Sequence, residues 1–145
     1  MIAALAADLL AKFRTVPALE NSASLSIGGR SSDPGLVKVP LPVAWLTFSR
    51  DASDEQSYEH GPASGMIHAA PLMIATFSAT IFVPYLSDDD LLSTQYPLLL
   101  AAVNAVHATE SPSGMRWRYA GQRIALVYPD RLAYEQRYTV NYTPN

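Results

Sequence analysis

The segment Met73–Val83 constrains the fold of this chain most, because its side chains alternate in character residue by residue. One alternate set is entirely apolar and the other is half polar; the first comprises Met73, Ala75, Phe77, Ala79, Ile81 and Val83, and the second Ile74, Thr76, Ser78, Thr80 and Phe82. A period of two in β-branched and aromatic residues predicts a β-strand. The half-polar face indicates that helices cover this strand on one side only.

The residues that follow this strand predict a long helix. Pro84 and Tyr85 end the strand, and Ser87 precedes the three aspartates of Asp88–Asp90. A serine hydroxyl can accept a hydrogen bond from a free N–H group at the helix start, where aspartates also favour the helix dipole. Pro97 interrupts the stretch, so we expect a break or strong kink there. The almost continuous apolar run Leu98–Val106 predicts burial of this helix on more than one side.

The N-terminus predicts an amphipathic helix over residues 1–14. Its apolar side chains recur at helical spacing, at Ile2, Leu5, Ala6, Leu9, Leu10 and Phe13. This helix should end before Pro17, because proline disfavours helical geometry at the preceding residue. We expect its apolar stripe to pack on the sheet of the same chain.

Further extended runs occur on both sides of the central strand and helix. Ser22–Ile27 and Val43–Ser49 predict two strands, the second inside the sheet. Leu132–Thr143 alternates cleanly, which predicts a strand with one packed face. Two more runs, at 115–120 and 123–128, flank Gly121 and Gln122, which predict a two-residue hairpin turn.

These elements predict one domain, residues 1–145, of the α+β class. We expect a largely antiparallel or mixed β-sheet with the N-terminal helix and the long, proline-interrupted helix packed on one face. The polar segment 50–65 lacks hydrophobic periodicity and predicts a flexible acidic loop, which would become ordered only on binding a partner.

Composition argues against several functional classes. The net charge is −3 and the pI is about 5.5, so no overall basic field favours nucleic acid. The chain has no cysteine, which excludes disulfides and thiolate metal sites. No apolar run approaches the roughly 20 residues that cross a bilayer, so we expect no membrane partner.

A search for catalytic or ligand-binding patterns finds no enzyme signature, nucleophile elbow or phosphate-binding loop. His60 and His68 lie near acidic residues, but their spacing matches no metal-ligand pattern and indicates solvated loop residues. His107 should interact with the end of the long helix. On a strand, Arg116 and Arg118 would face solvent while Trp117 and Tyr119 would face the core. We therefore predict no catalytic residue, cofactor or metal, and a protein that is not an enzyme.

The layout of the chain resembles the Mu-like family of bacteriophage tail terminators, which is related in architecture to the lambda tail terminator. The resemblance rests on the opening helix MIAAL, the strand Met73–Val83, the long helix before a compact β C-terminus, and above all the ending Arg131–Tyr142. It implies a structural virion protein that forms a six-membered ring, caps the tail tube and stops its polymerisation. The implied partners are further copies of the chain, the tail tube protein, the tail sheath protein and a head completion or neck protein. DNA would pass through the lumen without specific binding, at the neck-proximal end of a tail assembled in the host cytoplasm.

A closed ring is built from head-to-tail contacts, so each subunit needs two different interacting surfaces. Aromatic residues are enriched at interfaces, and four tyrosines that we expect to be exposed are candidates for these surfaces, namely Tyr58, Tyr85, Tyr96 and Tyr142. Four acidic residues are candidates for a loop that lines the lumen or an interface and keeps DNA from adhering, namely Asp51, Asp54, Glu55 and Glu59.

Two other interpretations remain open from the sequence. A head–tail connector or neck adaptor of the same assembly would have a similar size and layout. A small ligand-binding domain or hydrolase belongs to a different class and would require a pocket with converging ionisable groups.

Overall fold

The computed structural model describes residues 1–25, 40–53 and 72–144, and these form the expected α+β fold. Its elements in chain order are α1 (Ile2–Arg14), a short 3-10 helix (Pro17–Leu19), β1 (Ala23–Leu25), β2 (Val43–Ser53), β3 (Met73–Pro84), α2 (residues 88–106), β4 (Arg118–Val127) and β5 (Arg131–Tyr142). The five strands make one mixed sheet in the order β1-β2-β3-β5-β4. Only β1 and β2 run parallel, and the other neighbours are antiparallel. The predicted central strand is therefore the middle strand, and β2 lies inside the sheet as expected.

The core lies between one face of this sheet and the two helices. The apolar face of β3 is buried through Ala75, Phe77, Ala79, Ile81 and Val83, and it packs in one cluster with Leu5, Leu9 and Phe13 of α1. Burying a large apolar side chain contributes roughly 1.5–3 kcal/mol, which makes this layer the main source of stability. The predicted amphipathic stripe of α1 is confirmed.

The helix α2 begins as predicted but accommodates Pro97 differently. The backbone N–H of Asp90 donates to the Ser87 hydroxyl at 3.1 Å, so the cap is confirmed. Instead of a break, a π-helical turn spans Leu91–Gln95, and the N–H of Tyr96 donates to the carbonyl of Leu91. A regular α-helix then continues over Tyr96–Val106, with Pro97 in its first turn, where its missing N–H group costs least.

The predicted hairpin at Gly121 and Gln122 is wrong. Both residues lie inside the single strand β4, and the register against β5 shifts between Tyr119 and Gly121. Gly121 has a φ of 128°, a backbone conformation that side chains disfavour, so the glycine serves a β-bulge.

The predicted loop 50–65 also begins too early. Residues 50–53 belong to β2, where Arg50 pairs with Thr76 and Ser53 with Met73. The remainder of that prediction, together with Tyr58, His60 and His68, lies outside the described residues.

The C-terminal strand β5 confirms the predicted alternation and ties the sheet to α2. Its packed face carries Tyr134, Tyr138 and the fully buried Gln136. The Gln136 amide donates to the Leu99 carbonyl at 3.0 Å and to the Gln122 side chain at 2.8 Å, and the Tyr138 hydroxyl donates to the Gln136 oxygen at 2.6 Å. These bonds offset the cost of burying an amide.

Candidate functional site

The described residues hold no cluster of three or more metal-ligating side chains, and none of their helices is long and apolar enough to span a membrane. The candidate functional features of the described residues lie on their surface.

His107 ends α2, as expected, but its contact is with a strand: its Nδ1 accepts a hydrogen bond from the backbone N–H of Tyr119 at 3.0 Å. Trp117 is buried while Arg116 and Arg118 are exposed, which confirms their predicted faces.

The predicted interface tyrosines differ in exposure. Tyr96 is exposed on α2. Tyr85 is half-buried and donates to Asp88 at 2.5 Å, a bond that raises the pKa of Tyr85. The expected exposure of Tyr142 is wrong: it is only 5% exposed, because it ends the packed face of β5. Tyr58 lies outside the described residues.

Of the four predicted acidic residues, only Asp51 lies in the described ranges. It is an exposed residue of β2, and its carboxylate accepts a hydrogen bond from the Tyr142 hydroxyl. Burial, together with this bond, raises the pKa of Tyr142 to about 12. Asp54, Glu55 and Glu59 are outside the described residues, and the lumen role of the set stays a prediction.

A row of exposed apolar side chains occupies the outer side of α2. Leu92 is 63% and Leu100 is 59% exposed, and Tyr96 lies between them. The spacing of Leu92, Tyr96, Leu100 and Val103 places them along one side of the helix, next to the buried row of Gln95, Leu99, Ala102 and Val106. The prediction that Leu98–Val106 is buried on more than one side is therefore confirmed only in part: beside the buried row, Leu98, Ala101 and Ala105 are partly buried against the core, whereas the side with Leu100 is exposed.

This row continues onto the edge strand β4. Tyr96 contacts Tyr134 edge to face, with ring centroids 5.9 Å apart, and Tyr134 pairs with Ile124 across β5 and β4. Ile124 is 53% and Val127 is 71% exposed. We call Leu92, Tyr96, Leu100, Ile124 and Val127 the helix–edge surface.

A groove with a volume of about 460 Å³ lies along the α2 part of this surface. Its lining is mostly apolar and consists of Leu92, Tyr96, Pro97, Leu99, Leu100, Val103, Tyr119 and Gln122. Exposed apolar side chains that lie singly are normal, whereas a continuous apolar area marks an interaction site. No carboxylate, lysine or histidine lines the groove, so its chemistry suits an apolar protein contact better than a polar metabolite.

The strand β4 also ends the sheet, so one side of its backbone has no neighbouring strand within the described part of the chain. Such an edge can pair with another chain. The interface residues predicted from the sequence were tyrosines, and they did not include the exposed Leu92, Leu100, Ile124 and Val127. The signal that indicates them is the excess of apolar residues in 98–106, which is more than one stripe of a helix can bury.

A scan against protein-family models found no family that matches this chain, and a search of curated proteins found no similar sequence.

Proposed function

We propose that this chain is the ring-forming terminator subunit of a bacteriophage tail, which caps the tail tube, ends its polymerisation and joins it to the neck. The observation that carries the proposal is the helix–edge surface, an apolar area that the described residues leave outside their buried core. A subunit of a permanent assembly exposes such a surface until its neighbour covers it.

A ring also requires a second, different surface on each subunit. The opposite edge of the sheet supports this requirement. The short strand β1 pairs only with Ala44–Leu46, so the later part of β2 lacks a strand neighbour on that side among the described residues. The two edges differ in length, so a contact between them would be head-to-tail, the type of contact that gives a ring when its rotation closes.

The remaining faces of the ring would meet the tube protein at one end and the sheath and neck proteins at the other. The ring has six subunits in this proposal, and DNA passes through its lumen. These assignments follow from the resemblance to tail terminators and from the need of a cap to contact both its neighbours.

The oligomeric state tests the proposal directly. We expect native mass spectrometry and negative-stain electron microscopy of the purified chain to give a closed ring of six subunits. Leu100→Glu should convert this ring to monomers, because it places a charge in the apolar contact. The fold should persist, because a substitution at an exposed position changes stability by only about 0.5 kcal/mol.

A matched control is Leu86→Glu, which introduces the same charge at a leucine that is 78% exposed but lies outside the helix–edge surface. It should leave the ring intact. A chain that stays monomeric at all concentrations, or a ring that both variants weaken equally, would contradict the proposal.

A further inference from the structure

The helix-free face of the sheet carries an unusual concentration of positive charge. Arg50, Arg118, Arg123 and Arg137 are all exposed, and the strand register places them on this face together with a single acidic residue, Glu135. The whole chain has a net charge of −3, so the positive charge is local. We call these four arginines the arginine face.

The register arranges the arginine face in rows across the strands. One row runs from Arg50 through Thr76 and Thr139 to Arg118. The next row pairs Ser78 with Arg137, and Arg137 with Gly121. Since neighbouring strands lie about 4.8 Å apart, the backbones at Arg50 and Arg118 are roughly 14 Å apart, the width of a small protein contact.

This face is concave rather than flat. A depression of about 450 Å³ is lined by Ser49, Arg50, Thr76, Ser78, Ala120, Glu135, Arg137 and Thr139. A second, smaller depression of about 220 Å³ shares Glu135 and Arg137 with it and is also lined by Gly121 and Arg123. The walls therefore combine guanidinium groups with hydroxyl groups, which bind carboxylate oxygens well.

Glu135 orients two of the arginines without neutralising the face. Its Oε1 accepts hydrogen bonds from Arg137 Nε at 3.1 Å and Arg123 Nε at 3.3 Å. Burial would raise the pKa of Glu135, but the bonds from Arg123 and Arg137 outweigh it and lower the pKa, so the carboxylate stays ionised. Arg50 has no ion-pair partner within the described ranges. Four guanidinium groups thus face one carboxylate.

We propose that the arginine face is a docking surface for a partner protein that presents a cluster of carboxylates. A protein fits better than a nucleic acid for two reasons. The net negative charge of the chain repels a long polyanion at a distance, whereas it does not prevent short ion pairs. The ionised Glu135 at the centre repels a continuous phosphate backbone. Separate carboxylates of a protein can instead bind the outer N–H groups of the arginines and avoid Glu135.

The border of the face supports the same occupant. Trp45 and Phe82 lie beyond Ser78 on this side of the sheet, with ring centroids 5.7 Å apart, and Trp45 remains partly exposed. Arginine and tryptophan are the side chains that most often dominate binding at protein interfaces. This inference does not depend on the proposed ring at Arg137, because that residue lies on β5, which has a strand neighbour on both sides and forms neither edge of the sheet.

The test measures the fluorescence anisotropy of a labelled decaglutamate peptide titrated with the full chain. We expect saturable binding that Arg137→Ala weakens by about tenfold, since a charge-assisted hydrogen bond contributes about 1.5 kcal/mol or more. The control Lys12→Ala removes a positive charge from α1 and should change the affinity less than about twofold.

A labelled DNA duplex serves as the competing probe in the same assay. No binding of the peptide, an equal loss with Lys12→Ala, or tighter binding of the duplex than of the peptide would each overturn the proposal. Arg137→Ala should keep the urea midpoint and the oligomeric state of the chain, because Arg137 lies on the inner strand β5, so failure here is distinguishable from failure of the proposed ring.

Discussion

The two most apolar stretches of the chain, Met73–Val83 and Leu98–Val106, differ in how many of their apolar side chains are buried. The strand buries its whole apolar face under the helices. The helix buries Leu99, Ala102 and Val106 but leaves Leu100 59% exposed. Both stretches have a similar hydrophobic content, so content alone does not decide burial. What decides it is how much apolar surface the rest of the chain can cover, and the excess on α2 is the part available to another molecule.

The largest expected effect on stability comes from truncating one side chain in each of the two stretches. Phe77→Ala should lower the free energy of unfolding by about 3–5 kcal/mol, because it leaves a cavity next to Phe48 and Trp117. Leu100→Ala should lower it by less than about 1 kcal/mol in the monomer. Urea unfolding at equilibrium measures both. Similar losses for the two variants would mean that Leu100 belongs to the core of the monomer.

A smaller effect at high pH should test the burial of the packed sheet face that β5 shares with Met73–Val83. Burial, more than the nearby Tyr119, raises the pKa of Tyr138, and burial with the bond to Asp51 raises that of Tyr142 to about 12. The folded state therefore holds these phenol protons more tightly than the unfolded state does. Their contribution to stability is complete below pH 10, the ordinary tyrosine pKa, and is lost as the pH rises through the folded values.

The urea midpoint followed between neutral pH and about pH 12, together with tyrosinate absorbance, measures this loss. Tyr142→Phe should make the decline shallower because it removes one of the titrating groups. A midpoint that stays constant above pH 10 would contradict the burial of the tyrosines on β5.

The smallest effect concerns the end of α2. Ala108 follows the helix with a φ of 63°, a left-handed conformation that costs an alanine about 1 kcal/mol. Ala108→Gly should relieve most of this strain. Because glycine is also more flexible in the unfolded chain, part of the gain is cancelled, and the free energy of unfolding should rise by up to about 0.5 kcal/mol. Thermal or urea unfolding can resolve it when variants are compared side by side.

Ala105→Gly provides the matched control, because it makes the same change within the regular part of the helix. It should lower the free energy of unfolding by about 0.8–1 kcal/mol. Two changes of the same sign would mean that Ala108 carries no strain.

Periodicity was sufficient to predict α1, β3 and β5, since each has one face on which apolar side chains repeat, with Gln136 as the one polar member of that face on β5. Ser87 was predictable because a cap depends on residues close in sequence. Gly121 was not, because a hairpin turn and a β-bulge both require a glycine at positive φ, and only pairing with β5 distinguishes them. The extension of β2 over residues 50–53 depends likewise on backbone pairing with β3, which polar side chains do not reveal.

The candidate surface was only partly predictable. Tyr96 was correctly expected to be exposed, but its neighbours Ile124 and Val127 come from a strand nearly thirty residues away, and the sheet order brings them together. The arginine face was not predictable from the sequence for the same reason, since the sheet order also brings its residues together. Its members are scattered along three strands, and local spacing does not show that they share one side.

The π turn at Leu91–Gln95 has a consequence for how the chain can vary. It contains one residue more than an α-helix would use, and this residue is taken into a single wider turn whose hydrogen bond runs from Tyr96 to Leu91. The start of α2, with its three aspartates, and the rest of the helix therefore keep nearly the faces that an uninterrupted α-helix would give them. Deleting one residue there should return the segment to regular α geometry and leave Tyr96 and Leu100 on the outer side. The apolar row should thus tolerate a change in residue count at this one place.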